Sequence, residues 1–469
     1  MGDRSVGPVT RLALALTDWS ERWVPDAFVF ALLATVVVVG AGTATAPLSL
    51  VVDAWGRGFW ELIPFTMQMS LVIITGHVLA TSRPMRALIR AVAGWPVTPR
   101  QAVAVVTLFA LVTSWFNWGF SLVFSAVLAR EVARRVDAVD YRALAAATFL
   151  GLGSIWAQGL SGSAALQMAS PGALPPQIRD IVAHGGLVPG GIVGFEHTIF
   201  LWQSFASVAV EMAVVVAIMW FATPIASQSH TARALGIDLR EADESAAADR
   251  AATPGQWLEH SPLLSWFVVA IGVAYLARYF SAATDPLNAI TLNILNLAFL
   301  ILGCLLHRTP ARLLRAVQQA TPAVWGVLLQ FPFYAGIAGV ITSTHLNERL
   351  ASLFVQASTA TSFPPLVAIY SAVLGVFVPS GGSKWVIEAP YVIAAAHQLQ
   401  VHLGWVVASY DLGEALANLV QPFWMLPMLG VLGLRARDVM GYTFVVFLAL
   451  TPVVLLLVTL LGTTLSYPL

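Results

Sequence analysis

The chain has 469 residues, 58% of them hydrophobic and 10% charged, and its 24 Lys+Arg balance its 24 Asp+Glu. Soluble domains carry about 25% charged residues, so the composition is that of a polytopic helical membrane protein. With no net charge there is no basic patch to attract nucleic acid, and a single cysteine, Cys304, excludes an intrachain disulfide and any cysteine-based zinc site.

Residues 1–24 read as a cytoplasmic amino-terminal segment. The first apolar run, about 27–44, is long enough to cross a bilayer and no convincing cleavage site follows it, so it reads as a span and not as a removable signal peptide. Further runs of spanning length lie at about 60–80, 142–170, 195–222, 262–280, 287–305, 320–342, 404–431 and 440–462. Two more apolar regions, 102–134 and 364–398, are interrupted by Phe116-Asn117-Trp118-Gly119 and by Pro379-Ser380-Gly381-Gly382-Ser383. Each interruption leaves pieces of about 14–18 residues, short for a span but suited to re-entrant half-helices. The polar segment 225–261, with Asp238, Arg240, Glu241, Asp243 and Glu244, reads as a cytoplasmic linker between two halves.

The halves repeat. Residues 25–224 form a first unit with hairpin 102–134, and residues 285–469 a second with hairpin 364–398; a connecting helix, 262–284, follows the linker. Pro25-Asp26-Ala27-Phe28 opens the first and Pro286-Leu287-Asn288-Ala289 the second. Gln68 aligns with Gln330, Asn117 with Ser380 and Gln158 with Gln421, at offsets of 262 or 263 residues. Ordered matches at a nearly constant offset indicate duplication. Arginines gather at 83–100, 130–142, 308–315 and 435–437, and the intervening loops hold few. If the arginine-rich loops are cytoplasmic, the crossings are consistent only when 102–134 enters and leaves from inside and 364–398 from outside. The expected fold is therefore an all-α inverted-repeat membrane protein with about nine transmembrane helices and two opposed re-entrant hairpins, its amino terminus cytoplasmic.

Inverted repeats with broken helices place substrate and ion near the midplane. The one lysine of the chain, Lys384, stands in such a break, and a lysine at bilayer depth costs about 2.5–3.5 kcal/mol on insertion scales, so it marks a candidate anion site. Around it the expected substrate-binding residues are Asn117, Trp118 and Gly119 at the first tip, and Ser380, Gly381, Gly382, Ser383, Lys384 and Trp385 at the second. Ser161, Gly162 and Ser163 come from one polar break within a span, and Gln421 from another. Glycines let backbone approach a ligand, and free N–H groups at half-helix ends favour a carboxylate. Trp118, Trp156, Trp385 and Trp424 are placed to wall an acyl chain. Asn117, Gln158, Glu388, Glu414 and Asn418 are candidates for coupling a cation, Na⁺ or H⁺; no other metal and no cofactor is expected. Glu388, one turn after Lys384, is equally placed to neutralise it. His77, His397 and His402 have no ligand spacing, and Glu211 has no role that the sequence explains.

With these residues in view the chain resembles the short-chain fatty acid transporter family, bacterial carriers associated with acetoacetate and butyrate uptake. The likeness rests on Gly-Phe-Trp-Glu-Leu and Met-Gln-Met within 58–69, Asn-Trp-Gly-Phe-Ser and Ala-Arg-Glu-Val-Ala-Arg-Arg within 117–135, and Leu-Ser-Gly-Ser-Ala at 160–164. In the second half it rests on Leu-Gln-Phe-Pro-Phe-Tyr-Ala-Gly-Ile at 329–337, Val-Pro-Ser-Gly-Gly-Ser-Lys-Trp-Val-Ile-Glu-Ala-Pro at 378–390, and Gln-Pro-Phe-Trp at 421–424. The resemblance implies a secondary carrier for small monocarboxylates in the bacterial inner membrane, not an enzyme. Its wider kinship implies hairpins that grip substrate and cation, elevator movement and a homodimer. A carrier of dicarboxylates or other organic anions would need a second fixed cation at the site. A membrane-embedded hydrolase would need a nucleophile–base pair, and no histidine stands at the depth of Ser380 or Ser383.

Overall fold

In the computed structural model the protein is described over residues 7–23, 27–61, 63–169, 188, 191–239, 253–283, 289, 292–346, 349, 352, 356, 358–379 and 381–469. The described residues are helical or irregular, with no strand among them. In chain order the helices are α1 (Pro8–Trp23), α2 (Ala27–Thr43), α3 (Leu48–Gly58), α4 (Ile63–Ala80), α5 (Arg83–Ala93), α6 (Pro99–Phe116), α7 (Trp118–Arg135), α8 (Tyr141–Phe149) and α9 (Ser163–Met168). After them come α10 (Trp202–Ala222), α11 (Pro254–His260), α12 (Leu263–Ala282), α13 (Leu292–His307), α14 (Pro310–Ala320) and α15 (Trp325–Ser343). The last five are α16 (Phe363–Phe377), α17 (Gly381–Gln398), α18 (Leu403–Asn418), α19 (Leu426–Leu432) and α20 (Ala436–Gly462).

Five helices, α6, α10, α12, α15 and α20, are each long and apolar enough to cross a bilayer, and α18 with α19 makes a sixth, bent by 73°. Shorter apolar helices lie within α2, α4, α13 and α16. The arginine clusters at 83–90 and 312–315 are not loops, as the charge pattern suggested, but sit on the short helices α5 and α14. The middle of the polar linker, 240–252, including Arg240, Glu241, Asp243 and Glu244, lies outside the described residues, as do Pro25, Asp26 and Pro286–Asn288 at the openings of the two repeats.

Both interrupted regions turn back on themselves. Thr98 opens α6 with a reciprocal capping box to Gln101, and Pro99 stands at the first helical position, where its missing N–H costs nothing. The helix runs to Phe116. Asn117 then takes an extended conformation and caps α7, its Oδ1 accepting from Phe120 N–H at 2.9 Å. Reversal of direction is fixed by Ser121 Oγ, which donates back to the Ala110 carbonyl at 2.8 Å. In the second region α16 ends at Phe377 and α17 begins at Gly381, and Lys384 reaches back to Ser371.

These hairpins pack with α8, α9, α10, α18 and α20, whereas α2, α3, α4, α13, α14 and α15 pack mainly with one another. Among the described residues α16 and α18 pack closely along their length. This packing depends on Gly413, where any Cβ would run into the Ala368 carbonyl on the facing helix. Small residues let apolar helices approach this closely where lipid supplies no hydrophobic drive between them. Gly413→Ala is therefore expected to destabilise the protein by about 1–3 kcal/mol through overpacking, read as a lower thermal midpoint in detergent. An unchanged midpoint would contradict this crossing.

Candidate functional site

Three interruptions meet beside the α16–α18 pair. The first residues of α17 lie against α9 and α18: a Cβ on Gly381 would stand 3.2 Å from Glu414 Cγ and 3.3 Å from Ser163 Oγ, and one on Gly382 would stand 3.0 Å from Gln167 Nε2. Gln167 donates to the Gly382 carbonyl at 2.9 Å, and the Tyr410 hydroxyl to that of Gly381 at 3.4 Å. Ser380 lies outside the described residues, and the side chain of Ser383 is likewise not described.

Lys384 is 2% exposed. Its Nζ donates to the Ser371 carbonyl at 2.8 Å, to Ser371 Oγ at 3.2 Å and to Glu414 Oε2 at 2.5 Å, which uses all three ammonium hydrogens. The ammonium also lies 5.0 Å from the centre of the Tyr410 ring. Its carboxylate partner is thus Glu414, not Glu388. A helical offset of four gives Lys384 and Glu388 a shared face, but the lysine side chain extends away from its own helix into the tight α16–α18 contact, where Glu414 waits. Glu388 is also buried, with Tyr370 as its polar neighbour and both Lys384 and Glu414 within electrostatic range.

The half-helix end after Gly162 was expected to receive an anion, and it does, but the anion belongs to the chain. Asp411, fully buried on α18, accepts from Ala164 N–H with both carboxylate oxygens at 3.1 Å and from Ala165 N–H at 3.2 Å. Ser161 Oγ accepts the Trp118 N–H at 3.1 Å, which leaves its hydroxyl hydrogen free to donate, and Leu160 N–H donates to the Trp115 carbonyl at 2.8 Å. The first tip and the first break are thereby joined, so closely that Gly159 has no room for a Cβ against Trp115. Ser163 and Gly162 stand at the start of α9, and Gly162 too lies beside Asp411.

The other candidates are held among themselves. Asn117 caps α7, and Gly119 packs on Val72. Asn418 Nδ2 donates to the Leu152 carbonyl at 3.2 Å, Gln421 Nε2 to Asn418 Oδ1 at 3.0 Å, and Phe423 N–H to Gln421 Oε1 at 2.7 Å. This chain of amides satisfies the break between α18 and α19. Gln158 Nε2 donates to Glu211 Oε1 at 2.6 Å, which gives Glu211 a partner the sequence did not reveal. Trp118 packs edge-on to Trp424 with centroids 5.1 Å apart, and Trp385 lies 4.6 Å from Tyr410, so the two tips contribute to different aromatic groups. Trp156 is buried with the first break. His402 caps α18 by accepting from Trp405 N–H at 3.0 Å, and His397 bonds to the Tyr467 hydroxyl.

Sequence reasoning missed Asp411, Ser371 and Tyr410. One signal was available: Asp411 and Glu414 are three residues apart in an apolar run, so both share a helix face. Taken together the site holds three buried carboxyl groups, Glu388, Asp411 and Glu414, near one ammonium. An arrangement of this kind can exchange one carboxylate for another at a fixed cation, or take up protons where charge is in excess.

Comparisons with known proteins agree with the transporter motifs. A family model described as short chain fatty acid transporter matches residues 8–461. A protein of Escherichia coli (strain K12), provisionally named a short-chain fatty acid transporter, is 39% identical over 442 residues, covering 92% of this chain and 96% of its own. A protein of Haemophilus influenzae (strain ATCC 51907 / DSM 11121 / KW20 / Rd), named in the same way, is 34% identical over 450 residues, covering 95% and 98%. The crystal structure of the Alcanivorax borkumensis YdaH transporter aligns with a TM-score of 0.45 at 14% identity, over 92% of this chain and 98% of that one, a likeness too loose to carry an inference. A family of transporters leaves the hydrolase reading without support. On the length and identity of these matches, the chain belongs to the short-chain fatty acid transporter family, as a helical membrane protein and not an enzyme.

Proposed function

We propose that this protein is a secondary carrier that imports short-chain fatty acids or related small monocarboxylates, such as butyrate and acetoacetate, together with a coupling cation, Na⁺ or H⁺. The carrying observation is the single buried ammonium of Lys384 at the start of α17, held by Glu414 from a neighbouring helix. A substrate carboxylate entering beside Gly381 and Gly382 replaces Glu414 on Lys384. The negative charge that the substrate adds to the protein is what the coupling cation offsets. Trp385 and Tyr410 supply an apolar wall for a short acyl chain.

A dicarboxylate is the second reading, and the distribution of cations argues against it. Among the described residues the only other arginine or lysine buried to this degree is Arg142, which is committed to Glu21 at 2.7 Å and to Asp140 at 3.6 Å. One fixed cation suits one carboxylate. The remaining parts of the proposal are the inverted repeats with opposed re-entrant hairpins, the bacterial inner membrane with the amino terminus cytoplasmic, and elevator movement in a homodimer. Support for the first comes from the reversals at Asn117 and after Phe377.

Two measurements test this reading. Lys384→Met alone leaves Glu414 buried without its counter-charge and is expected to cost about 3–5 kcal/mol, whereas Lys384→Met with Glu414→Gln is expected to recover much of that loss. Thermal unfolding in detergent reads the difference, and additive losses would dissolve the pair. In proteoliposomes the folded double variant is expected to take up no radiolabelled butyrate. Uptake equal to wild type would remove Lys384 as the substrate's partner. Comparing wild-type uptake with and without a Na⁺ gradient, and with and without a pH gradient, identifies the coupling ion.

A further inference from the structure

Glu211 lies at the middle of α10, a 21-residue helix long and apolar enough to span the membrane, and is fully buried. A carboxylate at that depth costs about 2.5–3.5 kcal/mol on insertion scales, and such groups are kept for function or are paired with a cation. Among the described residues no cation meets this one. Its Oε1 accepts from Gln158 Nε2 at 2.6 Å and from Ser207 Oγ at 2.8 Å, both neutral donors. The second oxygen, Oε2, is buried with no hydrogen-bond partner among the described residues, and so is the carbonyl oxygen of Gln158.

The elements packed on α10 are α1, α6, α8, α20 and the single helical turn Ile155–Gln158. Their charged and titratable groups lie elsewhere: Arg142, Asp140 and Glu21 bind one another near the start of α8 with Tyr442 beside them, Arg437 and Asp438 open α20, Arg100 opens α6, and Arg11, Asp18 and Arg22 belong to α1. None is in electrostatic contact with Glu211, whose interacting side chains are Ser207 and Gln158. Gln158 ends the helical turn that precedes Gly159, Leu160 and Ser161, the break locked to Trp115 and Trp118 of the first hairpin. Glu211 therefore meets, through the Gln158 side chain, the segment that leads to the candidate substrate site without entering the site.

We propose that Glu211 is the site that takes up and releases the coupling proton, with Oε2 the oxygen that carries it. The inference rests on the carrier reading above and selects H⁺ as its cation. The step is a plain protonation: the carboxylate gains a proton from water on one side of the membrane, crosses as neutral carboxylic acid, and returns the proton to water on the other. Neutral donors on Oε1 hold the group in place in both states. Gln158 links the protonation state to the break, which makes Gln158 and Ser207 positioning residues.

The test uses the full chain in proteoliposomes, with radiolabelled butyrate and protein-free liposomes as the blank. Wild type is expected to accumulate butyrate under an inward pH gradient and to exchange internal for external butyrate at equal pH. Glu211→Gln, which mimics the neutral acid, is expected to lose accumulation and keep exchange. Ser207→Ala is expected to keep accumulation but move its pH profile by about half a pH unit or more, because one donor to the titrating group is gone; this arm holds even where Glu211→Gln does not fold. Accumulation by Glu211→Gln equal to wild type overturns the proposal, as does an unmoved profile in Ser207→Ala. Loss of exchange together with accumulation assigns Glu211 a structural role and overturns it too. Wild-type uptake that follows Na⁺ and ignores pH overturns the proton site but leaves the carrier reading standing, whereas a wild type that moves no short-chain carboxylate sinks both.

Discussion

Wherever a helix is interrupted at bilayer depth, backbone N–H and carbonyl groups lose their helical partners, and no water is at hand to replace them. Three breaks among the described residues meet that constraint with side chains of the protein itself. The first tip uses its own Asn117 and the hydroxyl of Ser161, 43 residues away. The start of α9 uses Asp411, from the other half of the sequence. The break after α18 uses Gln421 and Asn418, and Asn418 also donates to the Leu152 carbonyl of the opposite half. Breaks are affordable here because they are satisfied in trans, and this mutual dependence draws both halves into one site.

Asp411 and Glu414 show how charge follows from the same constraint. A helix N-terminus carries partial positive charge and a lysine a full one, and both are buried against α18. Left alone either would be costly, so α18 supplies a carboxylate to each from successive turns of a single face. The two pairs are unequal. Asp411 is held by backbone groups that cannot move without unwinding α9, so it is a structural plug. Glu414 is held by a flexible lysine whose other contacts, to Ser371, remain when the carboxylate changes. Of the two, Glu414 is the one held by a movable side chain.

The positions of most helices were legible in the chain because apolar length and glycine or proline breaks are strong signals in a membrane protein. The runs at 102–134 and 364–398 end within a few residues of α6–α7 and α16–α17, and the interruption at Asn117 falls where the helices divide. Amphipathic helices were hidden. α5 and α14 carry arginines on one face, and α3 is only 11 residues long, so charge and length made all three resemble loops. At the site, residue choice was more legible than pairing. Lys384, Glu388, Glu414 and Gln158 all stood out as polar groups in apolar runs, but local spacing matched Lys384 to the carboxyl on its own helix. The true partner lies 30 residues on, brought in by the Gly413 crossing, and no local pattern reports such a contact. Glu211 escaped for the same reason, since its partner Gln158 lies 53 residues away.

The contrast between Glu414 and Glu211 separates two tasks that a coupled carrier must keep apart. Glu414 faces a full positive charge, so what competes for its place is another anion, and Gly381, lacking a side chain, brings the start of α17 close against it. Glu211 faces only an amide and a hydroxyl, so what competes for its charge is a proton, and the apolar span around it leaves room for little else. Between them runs the segment from Gln158 to Ala165, whose first residue bonds Glu211 through its side chain and whose last bonds Asp411 through its backbone N–H. A change of charge at Glu211 alters the hydrogen bonds of Gln158, and the stretch just beyond Gln158 is joined to Trp115 and Trp118 through Leu160 and Ser161. Substrate and proton sites joined through one satisfied backbone break can influence each other without sharing a single atom.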